Sequence, residues 1–253
     1  MSNAPPEVSV IVPFLNERET LADLVAGVRA HLTHRHEILL IDDGSTDGST
    51  EVARDLAQAH PAVQLLRLRR NLGKTRALAA GVAAARGGTL VTMDADLQDD
   101  PKELPRLLAA LDEGLDLVVG WKQKRQDPWH KTFPSHVYNG GISALFGLPL
   151  HDVNCGFKVM RAPVMEAVPL HGEMHRMIAV WAAQAGWRVG ELPVAHHPRR
   201  YGQSKYGFER FARGAVDVLT VWFLSRYAER PAHFLGGLGL LLLGAGVGLA
   251  VLS

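Results

Sequence analysis

One cysteine, Cys155, is all that the 253-residue sequence contains, which excludes a disulfide scaffold and any zinc site built from cysteines alone. Charged residues reach only 21% against 47% apolar, so a disordered or supercharged chain is excluded as well. The segment Met1–Glu7 is polar and proline-bearing, without the apolar run of a signal peptide, and the body of the protein is therefore expected in the cytosol. Neither an internal repeat nor a low-complexity linker interrupts the chain.

Three familiar motifs are missing on inspection. Asn71-Leu72-Gly73-Lys74-Thr75 ends like a P-loop, but Leu68 stands where that loop needs its first glycine. Asp94-x-Asp96-x-Gln98 opens like an EF-hand, yet the sixth position is Asp99 and the twelfth is Pro105. His171 and His175 are four apart, but Gly172 replaces the glutamate of an HExxH zinc site.

What is present is an uneven charge. The net is +1, but residues 1–116 hold 12 Lys and Arg against 18 Asp and Glu, whereas residues 117–253 hold 15 against 8. An acidic half before a basic half points to a cation site followed by an anionic partner, or to a merely solvated basic face. Val8–Val12, Ile38–Ile41, Val63–Leu66 and Leu90–Met93 are short apolar runs of the kind buried on both faces of a parallel sheet. Helical patterns separate and follow them, near Thr20–His31, Ser49–Ala59, Lys74–Arg86 and Lys102–Leu111. The alternation predicts a three-layer α/β domain over 7–120, with ligands beyond the C-terminal strand ends. The unusual polar clusters all fall there: Pro13–Glu17, Asp42–Asp47, Arg69–Lys74 and Asp94–Asp100.

Beyond residue 120 the pattern becomes irregular. A basic stretch (Lys122, Lys124, Arg125, Lys131) reads either as an anion site or as a polybasic membrane patch. Helices are expected at Ser135–Phe146 and Arg176–Ala185, with strands at Val159–Met160 and Val189–Val194. Gly207–Tyr227 reads as an amphipathic helix, lying on a membrane or packing on the domain. Phe234–Leu252 lacks charge, and at ~1.5 Å per residue its length is about 28 Å, matched to a hydrocarbon core of about 30 Å. Arg226 and Arg230 before it place the preceding domain on the cytoplasmic side, as at a bacterial inner membrane. Gly244 and Gly248 suit close helix contact and thus homo-oligomerisation. With only Ser253 following, the chain reads as a piece of a longer membrane protein.

Asp94-Ala95-Asp96 after a buried strand could share one hard cation, Mg²⁺ or Mn²⁺, with Gln98 adding a carbonyl oxygen. Taken alone, such a pair is as readily a helix cap. Together with Asp42-Asp43-Gly44-Ser45 and Pro13-x-x-Asn16-Glu17 on the same sheet edge, it describes a nucleoside-diphosphate pocket.

The segments VSVIVPFLNE, LLIDDGSTDGS, RNLGKTRAL and MDADLQDDP together resemble the inverting family 2 glycosyltransferases of GT-A fold. GWKQKRQDPWHKTFPSH, HDVNCGFKVMR and RRYGQSKYG resemble, within that family, the polyprenyl-phosphate glycosyltransferases, the group containing dolichol-phosphate mannose synthase. The QxxRW motif of processive polymer synthases is absent. The resemblance implies a Rossmann-like, mostly parallel sheet flanked by helices, then an amphipathic and a transmembrane helix. It implies a catalytic domain at 1–206 (nucleotide half 7–120, acceptor half 121–206), an interfacial helix at 207–230 and a membrane span at 232–252.

The same resemblance implies roles for individual residues. Pro13, Leu15 and Glu17 would border the nucleotide, with Asp42 and Asp43 near base and ribose. Asp94, Asp96 and Gln98 would hold the metal on the sugar-nucleotide diphosphate, beside the Ala95 backbone. Lys122 stands where many members carry Arg, and Lys131 and Ser135 match the acceptor-phosphate region. Arg199 and Lys205 would close over the diphosphate as a mobile loop and, with Asp96, act in catalysis. The expected reaction moves one hexose from a UDP- or GDP-sugar to undecaprenyl or dolichyl phosphate with inversion, and involves no nucleic acid. Two alternatives stay open: a lipid-hydroxyl acceptor with Asp152 as base, or a non-catalytic nucleotide-binding scaffold.

Overall fold

The structure is a computed structural model and describes residues 4–123, 139–198, 209–227 and 231–252. The chain divides into two compact units, Met1–Lys205 and Tyr206–Ser253.

The first unit is built on seven strands: β1 (Val8–Phe14), β2 (His36–Asp42), β3 (Val63–Arg67), β4 (Thr89–Thr92), β5 (Leu117–Trp121), β6 (Lys158–Arg161) and β7 (Val189–Pro193). Their order across the sheet is β3-β2-β1-β4-β6-β5-β7. β1 to β4 are mutually parallel, and β5 runs parallel to β7. β6 is antiparallel to both of its neighbours, β4 and β5. Val10, Ile11 and Val12 of β1 and Ile38 to Ile41 of β2 are inaccessible to solvent, which is why these strands read as unbroken apolar runs.

Helices α1 (Leu21–His31), α2 (Ser49–Ala59), α3 (Lys74–Ala84) and α4 (Leu104–Asp112) connect the strands of the first half. α1 buries Leu21, Leu24, Val25 and Val28, a single stripe at helical spacing. Residues 139–146 are helical (α5), and α6 covers Ile178–Gln184 after a 3₁₀ turn at Met174–Met177. The strands expected at 8–12, 38–41, 63–66 and 90–93 are therefore present with slightly different ends. Helix 102–111 is split into a 3₁₀ turn, Pro101–Glu103, and α4, because two prolines stand where each piece begins.

At the N-terminal edge of the sheet, Glu37 is buried with every contact a donor. Its carboxylate accepts from Ser9 Oγ (2.6 Å), Arg86 N (2.8 Å), Arg86 Nη2 (2.7 Å) and Gln64 Nε2 (2.9 Å). A buried charge so surrounded locks β1, β2 and the end of α3 together.

The second unit holds α7 (Glu209–Tyr227) and α8 (Pro231–Leu252). Phe234 packs its ring 5.1 Å from Phe223 and 5.2 Å from Tyr227, joining the two helices. Among the described residues α8 is the one helix long and apolar enough to cross a membrane by length and composition. Val216 and Leu219 on α7 are exposed, a residue spacing that shares one helix face. Of the amphipathic helix expected at Gly207–Tyr227, Gly207 and Phe208 lie outside the described residues.

Candidate active site

Four turns at the C-terminal ends of β1 to β4 meet on one edge, and hydrogen bonds between them fix their shape. After β1, Asn16 adopts φ +57°, a left-handed conformation that Asn tolerates. Its amide donates to Ser45 Oγ (3.0 Å) and its Oδ1 accepts from Thr46 N (2.8 Å). Glu17 N donates to Ser49 Oγ (2.8 Å). The first two turns are thus stitched into one wall carrying Pro13, Leu15 and Glu17, all partly exposed.

Asp42 and Asp43 end β2 and turn inward. Asp42 is inaccessible; its oxygens accept from Ser45 N (2.7 Å) and Thr50 Oγ1 (2.5 Å). It shapes the turn from which the Asp42–Asp47 cluster is presented. Asp43 accepts from Leu72 N (2.7 Å) and Gly73 N (2.9 Å) and so ties down the turn before α3. Gly44, at φ +84°, lies where a Cβ would come within 2.7 Å of Asn71 N, so that no side chain fits between these turns.

The fourth turn carries Asp94, Ala95, Asp96 and Gln98. Asp94 pairs with the Lys74 ammonium at the start of α3. Burial alone would raise the Asp94 pKa, but Lys74 and then Lys122 outweigh it and hold the carboxyl well below the usual range. Gly156, from the loop before β6, is pressed against this carboxylate: a Cβ there would lie 2.7 Å from Asp94 Oδ2. Thr92 Oγ1 donates to the Gly156 carbonyl (2.7 Å), fixing that approach. Asp96 is 6% exposed and accepts from Gln98 N (3.2 Å) across Leu97, which has φ +59°.

Lys122, just past β5, reaches Asp99 at 3.0 Å. Burial would lower its pKa, yet Asp99 foremost holds it above the ordinary lysine value. Next to it the Cys155 thiol is pushed up to about 12 by burial, which keeps it protonated and unreactive. His175 accepts or shares a proton with Thr75 Oγ1 at 2.7 Å, and burial with the Lys74 and Arg176 charges keeps its ring neutral. Asp152 is 2% exposed, with its amide 3.4 Å from Glu191 Oε2.

The structure thus brings Asp94, Asp96, Gln98 and Lys122 together beside the Pro13–Glu17 turn. Lys131, Ser135, Arg199 and Lys205 lie outside the described residues. Lys74, Asp99 and Gly156 join the site without having been singled out as site residues. All three stood within quoted segments, Lys74 in RNLGKTRAL, Asp99 in MDADLQDDP and Gly156 in HDVNCGFKVMR, but only the tertiary fold shows what they touch.

The donor set suits a hard divalent cation. Asp94, Asp96 and Gln98 offer oxygen only, and among the described residues no group of three or more His, Cys, Asp or Glu forms a closed metal cage. Such a partial set fits Mg²⁺ or Mn²⁺ that completes its coordination on a diphosphate. Of these donors, Asp94 already carries the Lys74 ammonium.

The profile of "Glycosyl transferase family 2" matches residues 9–168. The chain is 43% identical over 242 residues to dodecaprenyl-phosphate galacturonate synthase of Rhizobium johnstonii, covering 92% of this chain and 72% of that protein. It is 36% identical over 217 residues to undecaprenyl-phosphate 4-deoxy-4-formamido-L-arabinose transferase of Edwardsiella ictaluri, covering 84% and 67%. Among solved structures it is similar to glucosyl-3-phosphoglycerate synthase from Mycobacterium tuberculosis in complex with Mn²⁺, UDP and phosphoglyceric acid. That match has a TM-score of 0.67 at 18% identity and covers 87% of this chain and 78% of the other, a likeness of GT-A fold. A parallel first half of the sheet, an acidic turn at its fourth strand end and a matched profile agree: the chain is a glycosyltransferase and belongs to glycosyl transferase family 2.

Proposed function

We propose that the protein transfers a single sugar from a nucleoside-diphosphate sugar to a polyprenyl phosphate, with inversion, at the cytoplasmic face of a membrane. One observation carries the acceptor: the two relatives are named for different sugars but for the same class of lipid phosphate. Uridine as the base is supported by the solved neighbour holding UDP. The apolar helix α8 supports a membrane location.

A phosphate monoester has a second pKa near ~6, so at neutral pH the acceptor is mostly a dianion and needs no strong base. One of its oxygens attacks the anomeric carbon as the bond from that carbon to the diphosphate oxygen breaks. The electron pair leaves with the nucleoside diphosphate, and a single displacement inverts the centre. Asp94, Asp96 and Gln98 would hold a divalent cation, which when bound would supply charge neutralisation for the leaving diphosphate. The protein aligns two anions and stabilises the one that departs. Lys122, just past β5, would by its family position face the donor, and Lys74 keeps Asp94 ionised and aligned. Arg199 and Lys205, by their family positions, would add cations at the diphosphate, and Lys131 with Ser135 would receive the acceptor phosphate.

Membranes carrying the full chain, given labelled UDP- and GDP-sugars with and without undecaprenyl phosphate, test this reading. A lipid-linked sugar phosphate formed only with the prenyl phosphate is expected. Transfer to a lipid hydroxyl regardless of added prenyl phosphate would overturn it.

A further inference from the structure

Residues 193–197, at the end of β7 and just past it, run along residues 98–106, with Val194 N alone turning to the Trp121 carbonyl (2.9 Å). Arg106 donates to the Pro193 carbonyl, and Ala195 N donates to Glu103 Oε1 (3.1 Å). His196 and Asp99 form an antiparallel bridge, and His197 N donates to the Gln98 carbonyl (2.9 Å). His197 Nε2 lies 3.1 Å from Asp100 Oδ2. Gln98 Nε2 lies 3.4 Å from both His196 Nε2 and the His197 carbonyl.

The last pair of contacts bears on chemistry. A ligating glutamine must offer its oxygen and keep its NH₂ elsewhere, and an amide on a free side chain has no such preference. With His196 in its Nδ1–H tautomer, its Nε2 and the His197 carbonyl are both acceptors for the two amide hydrogens. The Gln98 oxygen is then turned away from this segment. The main-chain bond from His197 and the Asp100 pair hold the same turn that carries Asp96.

We propose that His196 and His197 are positioning residues for the cation, orienting Gln98 and bracing the Asp96–Asp100 turn from the second half of the sequence. This rests on the reading of Asp94, Asp96 and Gln98 as the metal-binding residues. Partners that orient a ligand typically alter metal affinity by about 10–100-fold when removed.

The test is Mn²⁺ binding to the full-length protein in detergent with saturating UDP, followed by electron paramagnetic resonance of free Mn²⁺. Asp96→Asn should abolish tight binding; if it does not, the underlying site assignment fails, whatever the histidines do. Given that loss, His196→Ala and His197→Ala should each weaken Mn²⁺ by about tenfold or more. UDP affinity in EDTA and the thermal midpoint of the metal-free protein should hardly change. His196→Gln, whose carbonyl can accept the same hydrogen, should restore most of the affinity. Glu103→Ala, which removes the acceptor for Ala195 N and loosens the same segment away from Gln98, should leave Mn²⁺ binding within threefold. Unchanged Mn²⁺ affinity in both histidine variants would overturn the proposal, as would an equal loss in Glu103→Ala. If His196→Ala does not fold, the comparison of His197→Ala with Glu103→Ala decides.

Discussion

The Lys122 ammonium lies 3.0 Å from Asp99 Oδ1, and that carboxylate has no solvent exposure. Breaking a buried pair strands the remaining charge, at a cost of roughly 3–5 kcal/mol. Lys122→Met should therefore destabilise the protein strongly in urea unfolding, whereas adding Asp99→Leu should recover most of the loss. An additive double variant would show that the two charges do not depend on each other.

Asp96→Asn should lower kcat by about 10²–10³-fold, the scale of losing one charge-stabilising group at a reacting centre. EDTA should silence the protein reversibly. Gln98→Ala should be milder, since water can replace a neutral ligand. Full turnover in EDTA would remove the metal from the reaction.

Glu37 supplies a pH dependence of stability. Burial would raise its pKa, but Ser9 and Arg86 outweigh that and leave it below the ordinary glutamate value. A depressed folded pKa means stabilisation fully present above the unfolded value and lost as pH falls through the folded one. Glu37→Gln should cost stability at pH 7 and progressively less below about pH 4.5. Parallel acid-unfolding curves for parent and variant would contradict this.

Arg199→Ala and Lys205→Ala should reduce kcat far more than they weaken donor binding, if these cations act on charge developing in the transition state. Lys131→Ala should raise the KM for the lipid acceptor, and Lys131→Arg should be tolerated. Equal losses in kcat and donor affinity would assign Arg199 and Lys205 to donor binding alone.

Removal of residues 207–253 should leave nucleoside-diphosphate binding within a few-fold. Transfer to long-chain lipid in liposomes should drop by about two orders of magnitude, the scale of lost tethering. A short, water-soluble prenyl phosphate should be much less affected. Undiminished transfer in liposomes would show that α7 and α8 do not bring the enzyme to its acceptor.

Strands β1 and β2 were legible in the sequence because burial on both faces leaves only apolar residues to read. β6 was visible only as Val159–Met160, since Lys158 and Arg161 bound it, and Lys158 is buried with its ammonium on the Cys155 carbonyl. Periodicity alone does not reveal a charged residue that enters the core with a backbone partner. The acidic turns were legible as clusters, but not the direction of each carboxylate. Asp42 turns inward because Ser45 and Thr50 lie within reach of it, and Asp96 remains beside the pocket. The failed P-loop spacing at Asn71–Thr75 drew attention to glycine, whereas the residue that matters at that turn is Lys74, through Asp94. His196 and His197 carried no metal-binding spacing, because they act on a ligand nearly a hundred residues away in sequence.

The placement of β6 governs the order in which the protein can be completed on the ribosome. β4 ends at Thr92 and β5 at Trp121, yet neither is the other's neighbour; each waits for Lys158–Arg161 to come between them. Until that segment emerges, the inner edge of β4 stays open, with Leu90 and Val91 available to any other extended chain. A nascent chain halted between Trp121 and Lys158 is thus a sheet with an unsealed apolar edge, the state most exposed to aggregation. Synthesis past Arg161 closes that edge and, through Gly156, seats the backbone against Asp94. Closure of the β4 edge and completion of the acidic pocket are thus coupled stages in the maturation of this enzyme, before β7 adds to β5.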